Sequence, residues 1–147
     1  MRIPFGAPAA IARITGGDSA PCLHGTLKLY AMGKEVLVVA EIHGLPVSAT
    51  GIFALHIHNG NSCKGTDFSG SGSHFDPENR PHPMHAGDLP PLFSCHGKAF
   101  LAVLTDRFSV RQVIGKTVVI HENVDDFTSQ PAGNAGKKIA CGMIMPA

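Results

Sequence analysis

Apolar and polar positions along this chain alternate with a period of two, and no stretch holds the 3.6-residue repeat of an amphipathic helix. Residues 9–14 (AAIARI), 25–31 (GTLKLYA), 35–42 (EVLVVAEI) and 51–58 (GIFALHIH) predict four strands, with MGK turning the chain between the second and third. Residues 88–93 (DLPPLF), 98–104 (KAFLAVL), 117–122 (TVVIHE) and 138–144 (KIACGMI) predict four more. SCHG is a turn between the first two of these, and TDRFSVRQVIGK reads as a connection without helix. Short strands without helices predict an all-β fold, an eight-stranded antiparallel Greek-key barrel or sandwich.

Two segments break the pattern. Residues 59–87 hold Gly, Ser, Asn, Pro, Asp and His with almost no apolar periodicity, and a second, shorter glycine-rich loop precedes KIACGMI. A loop as long as the first is uncommon in a compact domain unless it is functional or ligand-bound. The 147 residues suffice for one domain with a real core, so residues 1–147 are read as a single unit. The 17 Gly and 11 Pro fit short strands joined by turns.

Charge adds little: 12 Lys and Arg against 11 Asp and Glu give a net +1. That balance gives no reason to expect nucleic acid or an anionic membrane as partner. No stretch reaches the length of a membrane span. The start, MRIPFGAPAAIARITGG, lacks the continuous apolar segment of a signal peptide. The expectation is a cytoplasmic protein for a full chain, and a periplasmic or extracellular one if a leader has been removed. Cys22, Cys63, Cys95 and Cys141 are too widely spaced for a CxxC motif, and could form two disulfides, one or none.

Histidine is the unusual residue, with nine copies. In LHIH, alternation turns Ile57 to one face and both His56 and His58 to the other. With Ile57 in a core, the two imidazoles share the outer face at a spacing that suits a metal ion. His121 follows Ile120 in the same relation on another strand. The long loop supplies His74, His82, His85 and Asp88, three imidazoles and a carboxylate that make a tetrahedral zinc set. Pro77, Pro81 and Pro83 stiffen it. Three strand-borne imidazoles with a fourth from the loop suit copper in either oxidation state.

In order, these motifs resemble the copper/zinc superoxide dismutase family. HIH, HF at His74, HAGDLP, GKTVVIHE, DDF, GNAG and ACGMI run in the family's sequence from about residue 9 to the C-terminus, with loops as short as in bacterial members. The resemblance implies an eight-stranded Greek-key barrel that dismutates superoxide anion to dioxygen and hydrogen peroxide. It implies copper on His56, His58, His74 and His121, and zinc on His74, His82, His85 and Asp88, with His74 bridging the two and handling a proton. Asp125 is similar to the carboxylate that orients one ligand of each ion. Cys63 and Cys141 are similar to the pair that forms the family's intrasubunit disulfide. Oligomeric state, a homodimer included, is left open.

The sequence also departs from the family. Lys138 stands where an arginine usually guides and binds superoxide, keeping the charge but losing the planar fork; Lys137 lies beside it. Ala132 replaces the usual threonine of the channel wall. PCLHG, EIHGLP and SCHG place Cys22, His24, His43, Cys95 and His96 in turns that such a barrel gathers at one end, away from the metals. They are expected to be solvated turn residues; the sharper options are a Cys22–Cys95 disulfide or an additional metal site. Two rivals stand beside the dismutase. One is a non-enzymatic copper/zinc-binding domain on the same fold, which should have lost copper ligands. The other is a mononuclear zinc hydrolase, which would want an open zinc position and a glutamate base.

Overall fold

The structure, a computed structural model, describes residues 6–147. The alternating runs become β1 (Ala10–Gly16), β2 (His24–Met32), β3 (Glu35–His43), β4 (Ile52–Phe53), β5 (Leu55–His58), β6 (Leu92–Phe93), β7 (Ala99–Thr105), β8 (Thr117–His121) and β9 (Lys138–Pro146). Seven of them form one curled antiparallel sheet in the order β5-β8-β9-β1-β2-β3-β7. β4 and β6 pair separately. Because β4 runs into β5 and β6 turns into β7, this small ladder links the two edges of the large sheet.

Period-two alternation builds the core. Inward positions such as Ala12 and Ile14 on β1, Leu27 and Leu29 on β2, Val38 and Ile42 on β3, and Val118 and Ile120 on β8 interlock in one buried cluster. Ile57 belongs to it and is wholly buried.

Four sequence expectations need correction in detail. GIFALHIH is two strands, because the backbone of Ala54 is captured by the end of β8 and the residues after it: its N–H donates to the Asn123 carbonyl and its carbonyl accepts from His121 N–H. In DLPPLF only Leu92 and Phe93 are extended in a ladder, since Pro90 and Pro91 have no N–H to give one. The described residues therefore hold nine strands. The connection TDRFSVRQVIGK holds a one-turn helix, α1 (Val110–Val113), opened by a reciprocal cap between Ser109 and Gln112. Within the long loop, Thr66–Ser71 forms a 3-10 segment.

The long loop is held by the sheet. β5 is an edge strand, and the loop occupies its free edge: Ile57 N–H donates to Gly87 O at 2.8 Å, and Phe75 N–H donates to Ile57 O at 2.8 Å. His58 thereby lies opposite His74, and His56 opposite Asp88. This approach requires glycine at 87, where a Cβ would come within 2.2 Å of the Ile57 carbonyl oxygen. Two further ties add to the fastening. A Cys63–Cys141 disulfide joins the loop to β9 with Cα atoms 5.8 Å apart. Arg107 Nη1 donates to the carbonyls of Pro83, at 2.7 Å, and His85.

Candidate metal centre

The outer face of β5 lies under the loop. Alternation holds, with Ile57 inward and His56 and His58 outward, yet all four residues of β5 are buried. His121, at the end of β8, is buried too.

The proton positions of two of these imidazoles follow from their partners. His58 Nδ1 donates to the Gly72 carbonyl at 2.7 Å, and His121 Nδ1 donates to the Gly136 carbonyl at 3.2 Å. A carbonyl can only accept, so each neutral ring carries its hydrogen on Nδ1 and leaves Nε2 a bare lone pair. Burial pushes His58 down to about 2 and His121 down to about 3, which keeps both rings neutral. The two Nε2 atoms are 3.2 Å apart. Two lone pairs facing at that distance repel unless a cation lies between them.

His56 and His74 complete this set. Donation from His56 Nε2 to Asp125 leaves His56 Nδ1 buried without a partner, and His74 Nε2 is likewise buried and unpartnered. The His56 and His74 ring centroids are 4.0 Å apart. One ligand atom from each of His56, His58, His74 and His121 lies within 4.8 Å of the other three.

On its other side His74 meets a second set. His74 Nδ1 is 2.8 Å from Asp88 Oδ1 and 3.1 Å from His85 Nδ1. Asp88 Oδ2 is 3.1 Å from His82 Nδ1 and 3.2 Å from His85 Nδ1. His82 Nδ1 is close to that oxygen but not in hydrogen-bonding geometry, and it is the third buried nitrogen without a partner. Bonds of about 2.0–2.1 Å to a tetrahedral zinc place ligand atoms roughly 3.3 Å from one another. The separations fit that ion.

Asp125 connects the sets. Its Oδ2 accepts from His56 Nε2 and its Oδ1 from His82 Nε2, each at 2.8 Å, and Oδ1 also accepts from Phe127 N–H. Burial opposes its ionisation, but these three hydrogen bonds outweigh burial and hold the carboxyl well below the usual range. Asp88 is lowered in the same way: burial opposes its ionisation, and the His74 hydrogen bond together with the electrostatic pull of His74, His82 and His85 outweighs it. Gly133 of GNAG makes room for Asp125: its φ is +68° and a Cβ there would come within 2.0 Å of Asp125 Oδ1.

A cavity of about 690 Å³ opens onto this cluster and is lined by His58, His74, His121, Ala132 and Lys138. His56 lies behind it, fully enclosed. Lys138 Nζ donates to Ser71 Oγ and to the Gly72 carbonyl, each at 2.8 Å. That carbonyl is the one that accepts from His58. Burial lowers the Lys138 pKa.

Sequence reasoning missed several supports. Gln130 pairs its side-chain amide with the backbone of His82, accepting from its N–H at 2.9 Å and donating to its carbonyl at 2.7 Å. The carbonyls of Gly72 and Gly136 fix two imidazoles without any side-chain signature. Cys22 and Cys95 are free and exposed, so the optional disulfide between them is not formed.

Comparison with known proteins agrees with this architecture. The family model for copper/zinc superoxide dismutase matches residues 23–144. The chain is 35% identical over 135 residues to superoxide dismutase [Cu-Zn] 2 of Aquifex aeolicus, covering 82% of this chain and 78% of that one. It is 30% identical to the copper chaperone for superoxide dismutase of Rattus norvegicus, covering 92% of this chain and 52% of the relative. A superoxide dismutase-like protein from Bacillus subtilis matches in structure with a TM-score of 0.78 at 26% identity, over 90% of this chain and 96% of that one. Sequence match, fold and a buried histidine cluster able to hold metal agree, and the chain belongs to the copper/zinc superoxide dismutase family.

Proposed function

We propose that this chain dismutates superoxide at copper and zinc ions held on either side of His74. The observation that carries the reading is the division of labour within that one ring. Its Nδ1 lies among His85 and Asp88, while its Nε2 is buried without any partner beside the His56 and His58 rings. A deprotonated imidazole offers a lone pair at each nitrogen, so one side chain can serve two ions.

Copper is assigned to His56, His58, His74 and His121, and zinc to His74, His82, His85 and Asp88. The second group of ligand atoms that lie mutually within 4.8 Å is His56, His74, His82 and Asp88, with His56 in place of His85. Asp125 already takes His56 Nε2, however, and the copper set needs the remaining Nδ1. His85 Nδ1, 3.2 Å from Asp88 Oδ2, is the better fourth zinc ligand. Four protein ligands close the zinc, which leaves no position for the water a hydrolase would activate.

A bound copper ion would supply the redox chemistry, accepting an electron from one superoxide to give dioxygen and returning it to a second to give peroxide. The chain's own groups do the rest. Lys138 places positive charge at the cavity and draws the anion inward. His74 Nε2 is the atom able to hold a proton and deliver it to peroxide, while Nδ1 keeps the ring in place. Asp125 fixes the angle of His56 and His82, and the Gly72 and Gly136 carbonyls fix the tautomers of His58 and His121.

The rival, a metal-binding domain without turnover, draws on Lys138: its ammonium is already committed to Ser71 and Gly72 and lacks the arginine fork. Stopped-flow decay of superoxide separates the two. Protein loaded with copper and zinc should accelerate decay in proportion to its copper, and zinc-only protein should not. Full copper loading with no acceleration would establish the rival.

A further inference from the structure

Five of the chain's chemistry-bearing side chains have no part in the centre described above: Cys22, His24, His43, Cys95 and His96. None lines its cavity. His24 opens β2 and His43 closes β3, and the antiparallel register sets them directly opposite each other. Opposed residues on one face bring their Cβ atoms to about 5 Å. Both side chains are exposed, and their rings stack with centroids 5.3 Å apart and planes 17° from parallel.

Three features of the surroundings suit a cation. His24 Nδ1 donates to the Cys22 carbonyl at 3.0 Å, so its hydrogen sits on Nδ1 and the Nε2 lone pair is free. Glu41 shares the outward face with His43, two residues back on β3, and lies opposite Thr26 of β2. Glu41, His43 and Cys95 border one shallow depression, with Lys98 the cation that also faces it. The Cys95 turn is fastened there by Leu45 N–H donating to Gly97 O at 3.0 Å. For one ion to bind a nitrogen of each ring at about 2.0–2.1 Å, the exposed imidazoles would turn from their stacked arrangement.

We propose that His24 and His43 form a second, surface metal site, a cross-strand imidazole chelate for a divalent late first-row ion such as Zn(II) or Cu(II). Glu41 supplies the neighbouring negative charge, and the exposed Cys95 thiol at the rim is not one of the ligands. Imidazole donors favour zinc and copper over magnesium and calcium, which prefer oxygen. Affinity should be modest, because the site is open to water and the two rings are its only imidazoles in place.

The test is calorimetric titration of Zn(II) into protein whose buried centre has first been loaded to saturation. One additional zinc should bind per chain. His24→Ala and His43→Ala should each weaken that event about tenfold or more, at least what loss of an outer partner costs a metal site. The double variant Cys22→Ser, Cys95→Ser should retain it. Thermal melts and superoxide decay run on the same samples establish that the surface variants stay folded, and His24→Gln repeats the measurement with a polar side chain. No additional zinc in the native protein, or the same isotherm in both alanine variants, would overturn the proposal. Loss in the cysteine variant alone would assign the site to the thiols and overturn it equally. The readout is a difference between variants, so it does not depend on what the buried centre holds.

Discussion

His56 and His82 are held by one carboxylate, each donating from Nε2 to a different oxygen of Asp125 at 2.8 Å. One imidazole belongs to the edge strand β5 and the other to the long loop, so Asp125 ties the two histidine clusters to one carboxylate. Both rings donate, and only a group with two acceptor oxygens satisfies both. Asp125→Ala should weaken zinc and copper binding by roughly 10- to 100-fold. Asp125→Asn should be nearly as harmful, because its amide turns a donor toward one of the donating rings. Competition against a chelator measures both, and unchanged affinity in Asp125→Asn would contradict the orienting role.

The Cys63–Cys141 disulfide closes a separation of 78 residues. In the chain-entropy picture a loop of that size stabilises by about 4 to 5 kcal/mol. Cys63→Ser should lower the denaturant midpoint accordingly and quicken release of zinc, since the loop is then held by non-covalent ties alone, among them its pairing with β5, Arg107 and Gln130. Equal stability of the variant and the oxidised parent would refute this.

Lys138 tests how a lysine serves in the place of an arginine. Its long-range attraction for an anion should persist and fall with added salt. Lys138→Ala should slow superoxide decay and flatten its dependence on ionic strength. Lys138→Glu should depress the rate strongly and invert that dependence, and Lys138→Arg should raise it modestly by restoring two parallel donors. If Lys138→Ala alters neither rate nor salt slope, steering passes to Lys137, whose Nζ lies 3.3 Å from Asp67 Oδ1.

Asp126 gives a pH-dependent element close to the centre. Hydrogen bonds from the Ser129 hydroxyl and from the backbone N–H groups of Ser129 and Thr128 push this exposed carboxyl down to about 2. Its folded value lies below its ordinary 3.8, so the unfolded chain takes up the proton first as pH falls. The contribution is complete above pH 4 or so and disappears as pH drops from there through about 2. Amide protection at Thr128 and Ser129 should decline over that window, and Asp126→Ala should show the reduced protection already at neutral pH. Protection unchanged down to pH 2 would contradict the assignment.

Much of this was legible in the sequence because strand alternation and metal chemistry both leave side-chain marks. Ile57 between His56 and His58 correctly placed one residue in the core and two on the opposite face. What alternation could not show is that the opposite face is covered, because the cover consists of loop backbone paired to the edge of β5 through Gly87 and Phe75. The break of GIFALHIH at Ala54 was hidden for a similar reason: hydrophobicity does not report where a strand changes partners. The helix α1 did leave a sign, the Ser109 and Gln112 spacing of a reciprocal cap. Gly72 and Gly136 left none, since they act through carbonyls that every residue has.

Metal stoichiometry separates a two-ion centre from a single-ion one. The native chain would be loaded with copper and zinc together, stripped of loosely held ions with a weak chelator, and analysed for both elements. Close to one copper and one zinc should remain per chain, with the coupling between the two sites abolished in His74→Ala. Saturation at a single ion, with no copper retained, would contradict a centre built on two sides of one imidazole.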